Sequence, residues 1–390
     1  MISVEVALAH LFELVDPLEH ESVSISQAAG RVLAKDVSAQ RDQPPFPASA
    51  MDGYAISKAD YVVGRTLNVI GESAAGARFI DSIETGQAVR IFTGAPVPSG
   101  ADWIVIQEDV DANGTQITIR ETTETKAYIR PAGTDFKAGE TLEAGQLITP
   151  QLSALLASMN IGEVPVTRRP DIALISTGTE LVMPGEAPGI DQIIASNTFG
   201  LKAMLENLGA IVRVLPIAHD TLPALSTAFH LAKDADLIIT IGGASVGDHD
   251  LVSGVTAQMG MERAFYKVAM RPGKPLMAGK IGKAAMIGLP GNPVSAMVCG
   301  TIFVTPVVRA MLGLGKVPEP HQRAKLTQDM PANGPRAHYM RALLENGEIT
   351  PFTRQDSGLL SVLAQANALL LRPPHDAAKQ ARDEVMFVPL

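Results

Sequence analysis

A single cysteine, Cys299, among 390 residues excludes an internal disulfide and any metal site built on paired thiolates. It sits in the apolar stretch 294–304, where a small buried residue is expected rather than a nucleophile. The chain also lacks an unbroken run of about 18 apolar residues, the length a membrane helix needs. Its opening Met-Ile-Ser-Val-Glu-Val has no basic-then-apolar layout of a secretory leader, so the expected location is the cytoplasm, with no membrane partner. Positive charge is scarce overall: the net charge is −9 and the pI about 5.4. A nucleic-acid surface needs a basic face, so nucleic acid is excluded as an expected partner. Low-complexity tracts and short repeats are absent. His219 beside Asp220, and His249 between Asp248 and Asp250, have no further Cys or His at zinc-ligand spacing.

What is present is ordinary globular composition, 46% hydrophobic and 19% charged, in a chain too long for one simple core. Apolar residues at helical spacing, Val4, Ala7, Leu8 and Leu11, predict a first helix ending by Pro17, and Ser26 caps a second over 26–34. Three prolines at 44, 45 and 47 then forbid helix and central strand alike. Short β-branched runs follow to about residue 136. Among them, 88–91 and 103–106 bracket a proline-stiffened turn, from which Thr93 and Gly94 emerge. Helix returns at 151–160, behind Pro150, and 164–170 reads as a linker. Strands and helices alternate over 171–315, which predicts a parallel sheet covered on both faces. Beyond Pro318 and Pro320 the texture is β again. The expected fold is therefore α/β plus β and multidomain: a discontinuous helical domain (1–42 and 137–170), an inserted small β domain (43–136), a doubly wound α/β domain (171–316) and a C-terminal β-barrel (317–390).

The stretch 236–250 organises this pattern. Its apolar run 237–241 reads as a buried strand that ends in Gly242, Gly243, Ser245 and Gly247 before Asp248 and Asp250. Glycines at the carboxyl end of a parallel strand let backbone N–H groups approach an anion. Two other strands empty into similar loops, one holding Ser176, Gly178 and Glu180, the other Pro290, Asn292 and Pro293. Asn292 is placed to cap the helix begun by Pro293, whose positive end would face the same crevice. Between these loops lie Lys267, Arg271 and Lys274, stiffened by Pro272 and Gly273, a local basic cluster in an acidic chain.

Six motifs in order carry a family resemblance: Pro44-Pro-Phe-Pro with Ala50-Met-Asp-Gly-Tyr-Ala, Phe92-Thr-Gly-Ala-Pro, Ser176-Thr-Gly-Thr-Glu-Leu, Gly242-Gly-Ala-Ser-Val-Gly, Arg271-Pro-Gly-Lys-Pro and Gly288-Leu-Pro-Gly-Asn-Pro. The chain resembles the molybdopterin molybdenumtransferases, relatives of the catalytic domain of gephyrin. The resemblance implies a magnesium-dependent reaction in which adenylylated molybdopterin and molybdate give molybdenum-bearing molybdopterin and AMP. It also implies a cytoplasmic homodimer whose cleft joins the α/β domain of one subunit to the C-terminal domain of the other, and contact with other cofactor-assembly proteins.

By motif match, Asp52, Glu180, Asp220 and Asp250 form the acidic group, with Thr93 nearby, and Asp52, Glu180 and Asp250 are the implied metal ligands. Lys267, Arg271 and Lys274 are implied for molybdate and phosphate, Arg271 standing where the family often has lysine. The loops of Ser176, Gly178, Gly242, Gly243, Ser245, Gly247, Pro290, Asn292 and Pro293 would hold the pterin nucleotide. Arg341 and Ser357, with Arg336 nearby, are candidates by position in the C-terminal domain. Adenylylation of molybdopterin and a non-catalytic scaffold are the alternative readings. The second has no use for the acidic and basic groups.

Overall fold

The computed structural model describes residues 1–121, 124–243 and 251–390. Its central sheet has six strands: β1 (Asp171–Ser176), β2 (Ile211–Val214), β3 (Leu237–Ile241), β4 (Glu262–Tyr266), β5 (Met277–Ile281) and β6 (Ala284–Leu289), in the order β2-β1-β3-β6-β5-β4. The first four in that order run parallel, with Ile172 beside Leu237 and Leu237 beside Ala285. β5 runs the opposite way, antiparallel to both β6 and β4, a departure from the all-parallel sheet expected. The reason lies in the turn at Gly282, whose φ of +59° lets β5 double back into β6 without a crossover helix.

Alternation along β1 and β3 divides the core. Ile172, Leu174, Leu237 and Ile239 face one helical layer, while Ala173, Ile175 and Ile238 face another containing Leu225, Phe229, Val252 and Val255. The first layer includes the helical stretch Pro293–Met311, which is long and apolar enough to cross a membrane but has 83% of its apolar window buried inside the protein. It is the core helix of this domain. The helix Val4–Glu13, capped by Ser3, also packs here through Val4, Ala7, Leu8 and Leu11.

Residues from both sides of the inserted β region meet in two small sheets, His20–Ser24 with Glu163–Thr167 and Val37–Ser38 with Thr141–Leu142. The stretch read as a linker is thus a strand. Its Pro165 is tolerated because the sheet has only two strands and both are edges. The helix expected over 26–34 is a single turn, Ile25–Ala28, ended before Gly30 at φ +78°.

In the inserted region, Gly53–Ile56 lies between Gln87–Ile91 and Trp103–Ile106 and pairs antiparallel with both. The two strands expected to bracket a turn therefore do not pair with each other. At the C-terminus, Ala337–Glu345, Glu348–Pro351, Gln322–Leu326, Glu384–Pro389 and Ala368–Arg372 close into a five-stranded barrel. Its Ala337, Tyr339, Leu369, Leu371 and Val388 share the core of the α/β layer. A sixth short strand, Met270–Arg271, joins this sheet from the α/β domain, beside Ala337–His338.

Candidate active site

A cavity of about 520 Å³ opens at the carboxyl ends of β1, β3 and β6, where parallel α/β sheets place ligands. Ser176, Gly178 and Glu180 line it from the loop after β1, Gly242 and Gly243 from the loop after β3, and Pro290, Asn292 and Pro293 from the loop after β6. Asp220 enters after β2, its backbone N–H donating to Thr179 Oγ1 at 3.3 Å. Gly242, at φ +93°, shows why the motif is glycine: a Cβ there would stand 2.7 Å from the Thr177 carbonyl oxygen. Ser245, Gly247 and Asp250, and with them Asp248, lie outside the described residues.

Several side chains do something other than expected. The Ser176 hydroxyl is buried and hydrogen-bonded to Thr198 Oγ1 at 2.5 Å, so it ties β1 to the following helix. Asn292 occupies the cap position of the Pro293 helix without a side-chain cap bond among the described residues, and its backbone carbonyl accepts the first helical bond from Ala296 N–H. The Val294 N–H donates 3.1 Å to the Ser357 carbonyl, so a C-terminal loop takes part of the helix start that was expected to face an anion. Sequence reasoning missed Asn197, whose Nδ2 donates to the Gly291 carbonyl at 2.7 Å and holds the third loop against the first. Its only signal was its place at the start of a helix, Asn197–Asn207, within the alternating stretch 171–315.

The basic segment is a closed loop. Lys267 N–H donates to the Leu276 carbonyl at 2.9 Å and Val268 N–H to the Lys274 carbonyl at 3.1 Å, which brings Lys267 and Lys274 side by side. Lys267 has φ +73°, a backbone conformation costly for a side-chain-bearing residue and concentrated at functional sites. Arg271 and Lys274 are exposed, and none of the three cations lines the cavity, although Pro275, next in the chain, does.

Arg341 is fully buried. One guanidinium nitrogen donates to the Arg354 and Asp356 carbonyls at 3.1 Å each, while Nε and Nη1 have no partner among the described residues. Burial holds its pKa below the usual arginine value. Arg341, Arg271, Arg372 and Arg336 surround His338, and burial followed by those charges holds its imidazole down to about 3.

Asp52 and Thr93 meet, as the motifs imply, because Gly53 stands opposite Ile91 in the β region. Thr93 N–H and Oγ1–H both donate to Asp52 Oδ1, at 2.7 and 2.8 Å, and these bonds, the backbone one first, lower the Asp52 pKa. Neither residue lines the cavity of its own chain. The α/β and C-terminal domains, by contrast, are joined within one chain through Ser357 and through the Met270–Arg271 strand.

Three family models cover the chain: the MoeA N-terminal region (domain I and II) over residues 2–160, the "Probable molybdopterin binding domain" over 173–310, and the MoeA C-terminal region (domain IV) over 323–390. The molybdopterin molybdenumtransferase of Haemophilus influenzae is 35% identical, over 100% of this chain and 98% of its own. The chain belongs to the molybdopterin molybdenumtransferase family. Its relatives include the molybdopterin molybdenumtransferase of Bacillus subtilis, 33% identical over 95% of this chain and 90% of that protein. The crystal structure of the molybdopterin biosynthesis MoeA protein from Pyrococcus horikosii superposes with a TM-score of 0.86 at 28% identity, covering 100% and 99% of the two chains.

Glu180 and Asp220 are the described carboxylates that share the cavity, and among the described residues no three metal-binding side chains cluster. Two carboxylates fit magnesium, which keeps several waters and takes its remaining ligands from substrate phosphates.

Proposed function

We propose that this transferase passes molybdenum from molybdate to adenylylated molybdopterin and releases AMP, as the final step of cofactor assembly in the cytoplasm. The observation that carries the reading is the cavity itself: three motif loops, far apart in sequence, converge on one space large enough for a pterin nucleotide. Phosphoanhydride cleavage builds charge on phosphate oxygens, so fixed donors and positioned cations are what the reaction needs. Glu180 and Asp220 would hold magnesium, with Asp250 joining by motif. Bound there, the ion would neutralise phosphate charge. Lys267, Arg271 and Lys274 bind molybdate.

The active form in this reading is a homodimer. Asp52 and Thr93, which do not line their own chain's cavity, are brought to the cavity of the partner subunit. The test is to supply purified protein with adenylylated molybdopterin, magnesium and molybdate, and to measure AMP. Release should require all three. Equal AMP release without molybdate would show simple hydrolysis and overturn the proposal.

A further inference from the structure

The backbone of the basic segment is fixed from two sides. Ala269 N–H donates to the Ile2 carbonyl at 2.8 Å on one side, and on the other Ala337 N–H donates to the Ala269 carbonyl at 3.0 Å, with Arg271 in register with His338. None of these bonds orients the Arg271 side chain, which is exposed and has several rotatable bonds.

One contact does. Arg271 Nη2 donates to Asn333 Oδ1 at 3.3 Å. The amide of Asn333 can point only one way, because its Nδ2 faces three carbonyl oxygens: Arg336 at 2.9 Å, Arg372 at 3.0 Å and Pro373 at 2.7 Å. Turning it over would set Oδ1 against three acceptors and leave Arg271 facing a donor. Asn333 N–H is held as well, donating to the Asp376 carbonyl at 2.8 Å. The amide is thus a fixed acceptor, half-buried, aimed at an exposed cation.

We propose that Asn333 is the positioning residue for Arg271, holding the guanidinium over the basic loop in the direction that molybdate requires. The choice of side chain fits that role. Arg271 has no carboxylate partner among the described residues, and Arg336, Arg341 and Arg372 act with it on the neighbouring His338. A neutral acceptor steadies the guanidinium against its cationic neighbours without cancelling the charge an oxyanion needs, whereas a carboxylate would cancel it. The inference rests on the reading of Arg271 as a molybdate ligand, and it gives the C-terminal domain a function at a site carried by the α/β domain.

A double-mutant cycle on the full chain separates the two. Arg271→Ala should raise the molybdate concentration for half-maximal AMP release. If it does not, the assignment of Arg271 fails and takes this inference with it. Asn333→Ala should raise the same concentration about three- to tenfold, the effect of losing one hydrogen bond, with kcat nearly unchanged. In the Arg271→Ala background it should add nothing. Effects that multiply would show that Asn333 acts elsewhere, and a fall in kcat with no change in molybdate dependence would show a merely structural role. Should Asn333→Ala fail to fold, Asn333→Ser decides: its hydroxyl keeps a donor for the surrounding carbonyls but is too short to hold Arg271, so it should weaken molybdate about as far. Unchanged molybdate dependence in folded Asn333→Ser overturns the proposal while leaving Arg271 in place.

Discussion

Acid should destabilise this protein through His338 before its carboxylates titrate. The imidazole is held down to about 3, against an ordinary value of 6.5, first by burial and then by Arg271, Arg341, Arg372 and Arg336. In the folded chain it stays neutral between those values, while in the unfolded chain it takes up a proton as pH falls below 6.5. The unfolded state therefore gains as pH drops, and the stability lost is spread over the window from 6.5 to about 3. At pH 5, 1.5 pH units below the ordinary value, the loss is about 2 kcal/mol, at roughly 1.4 kcal/mol per pH unit. His338→Gln removes the titrating group and so removes this slope. Urea unfolding of both proteins at pH 7.5 and pH 5 should show the wild type losing about 2 kcal/mol more than the variant. Equal losses in the two proteins, or a His338 ring titrating near 6.5 by NMR, would refute the picture of an imidazole walled in by guanidinium groups.

Other perturbations follow from the same geometry. Asp52→Asn keeps an acceptor for Thr93, so its melting temperature should stay within a few degrees while most AMP release is lost; unfolding with normal activity per folded molecule would make Asp52 a structural cap. Gly273→Ala puts a Cβ 2.4 Å from Cys299 Sγ at φ +110°, and should cost about 2–4 kcal/mol by denaturant unfolding. Adding Cys299→Ala should recover the steric part but not the backbone part, and full recovery would show that the backbone is unstrained. Arg341→Met removes two buried nitrogens that lack partners among the described residues, but also the bonds Nη2 donates to the Arg354 and Asp356 carbonyls, so stability should fall by about 1–3 kcal/mol by urea unfolding while the molybdate dependence of the folded variant stays as in wild type. A raised molybdate requirement in the folded variant would instead place Arg341 at the oxyanion.

Much of the site was legible because its loops are written in residues with narrow conformational roles. Glycine at 242, proline at 290 and 293, and the unbroken apolar run of β3 identify strand ends without reference to the rest of the chain. The convergence after β1, β3 and β6 follows from those signals, and the C-terminal barrel from the β texture beyond Pro318 and Pro320. What was hidden depends on partners distant in sequence. Met270–Arg271 is too short to show alternation, and it becomes a strand only because Ala337–His338 lies beside it. The strand Glu163–Thr167 was obscured by Pro165, which only an edge position permits. Asn333 carries no local signal: its significance comes from three carbonyls that surround its Nδ2 and force its oxygen toward Arg271. The division of Asp52 and Thr93 from the cavity was likewise invisible, since motif order says nothing of which surfaces face one another.

The most direct test of the central claim is stoichiometric. A single reaction containing the protein, adenylylated molybdopterin, magnesium and molybdate should be stopped at intervals, and AMP and molybdenum-bearing molybdopterin counted by mass spectrometry. The account predicts one molybdenum-bearing product for each AMP, with both lost together in Asp52→Asn. AMP accumulating without that product would contradict it.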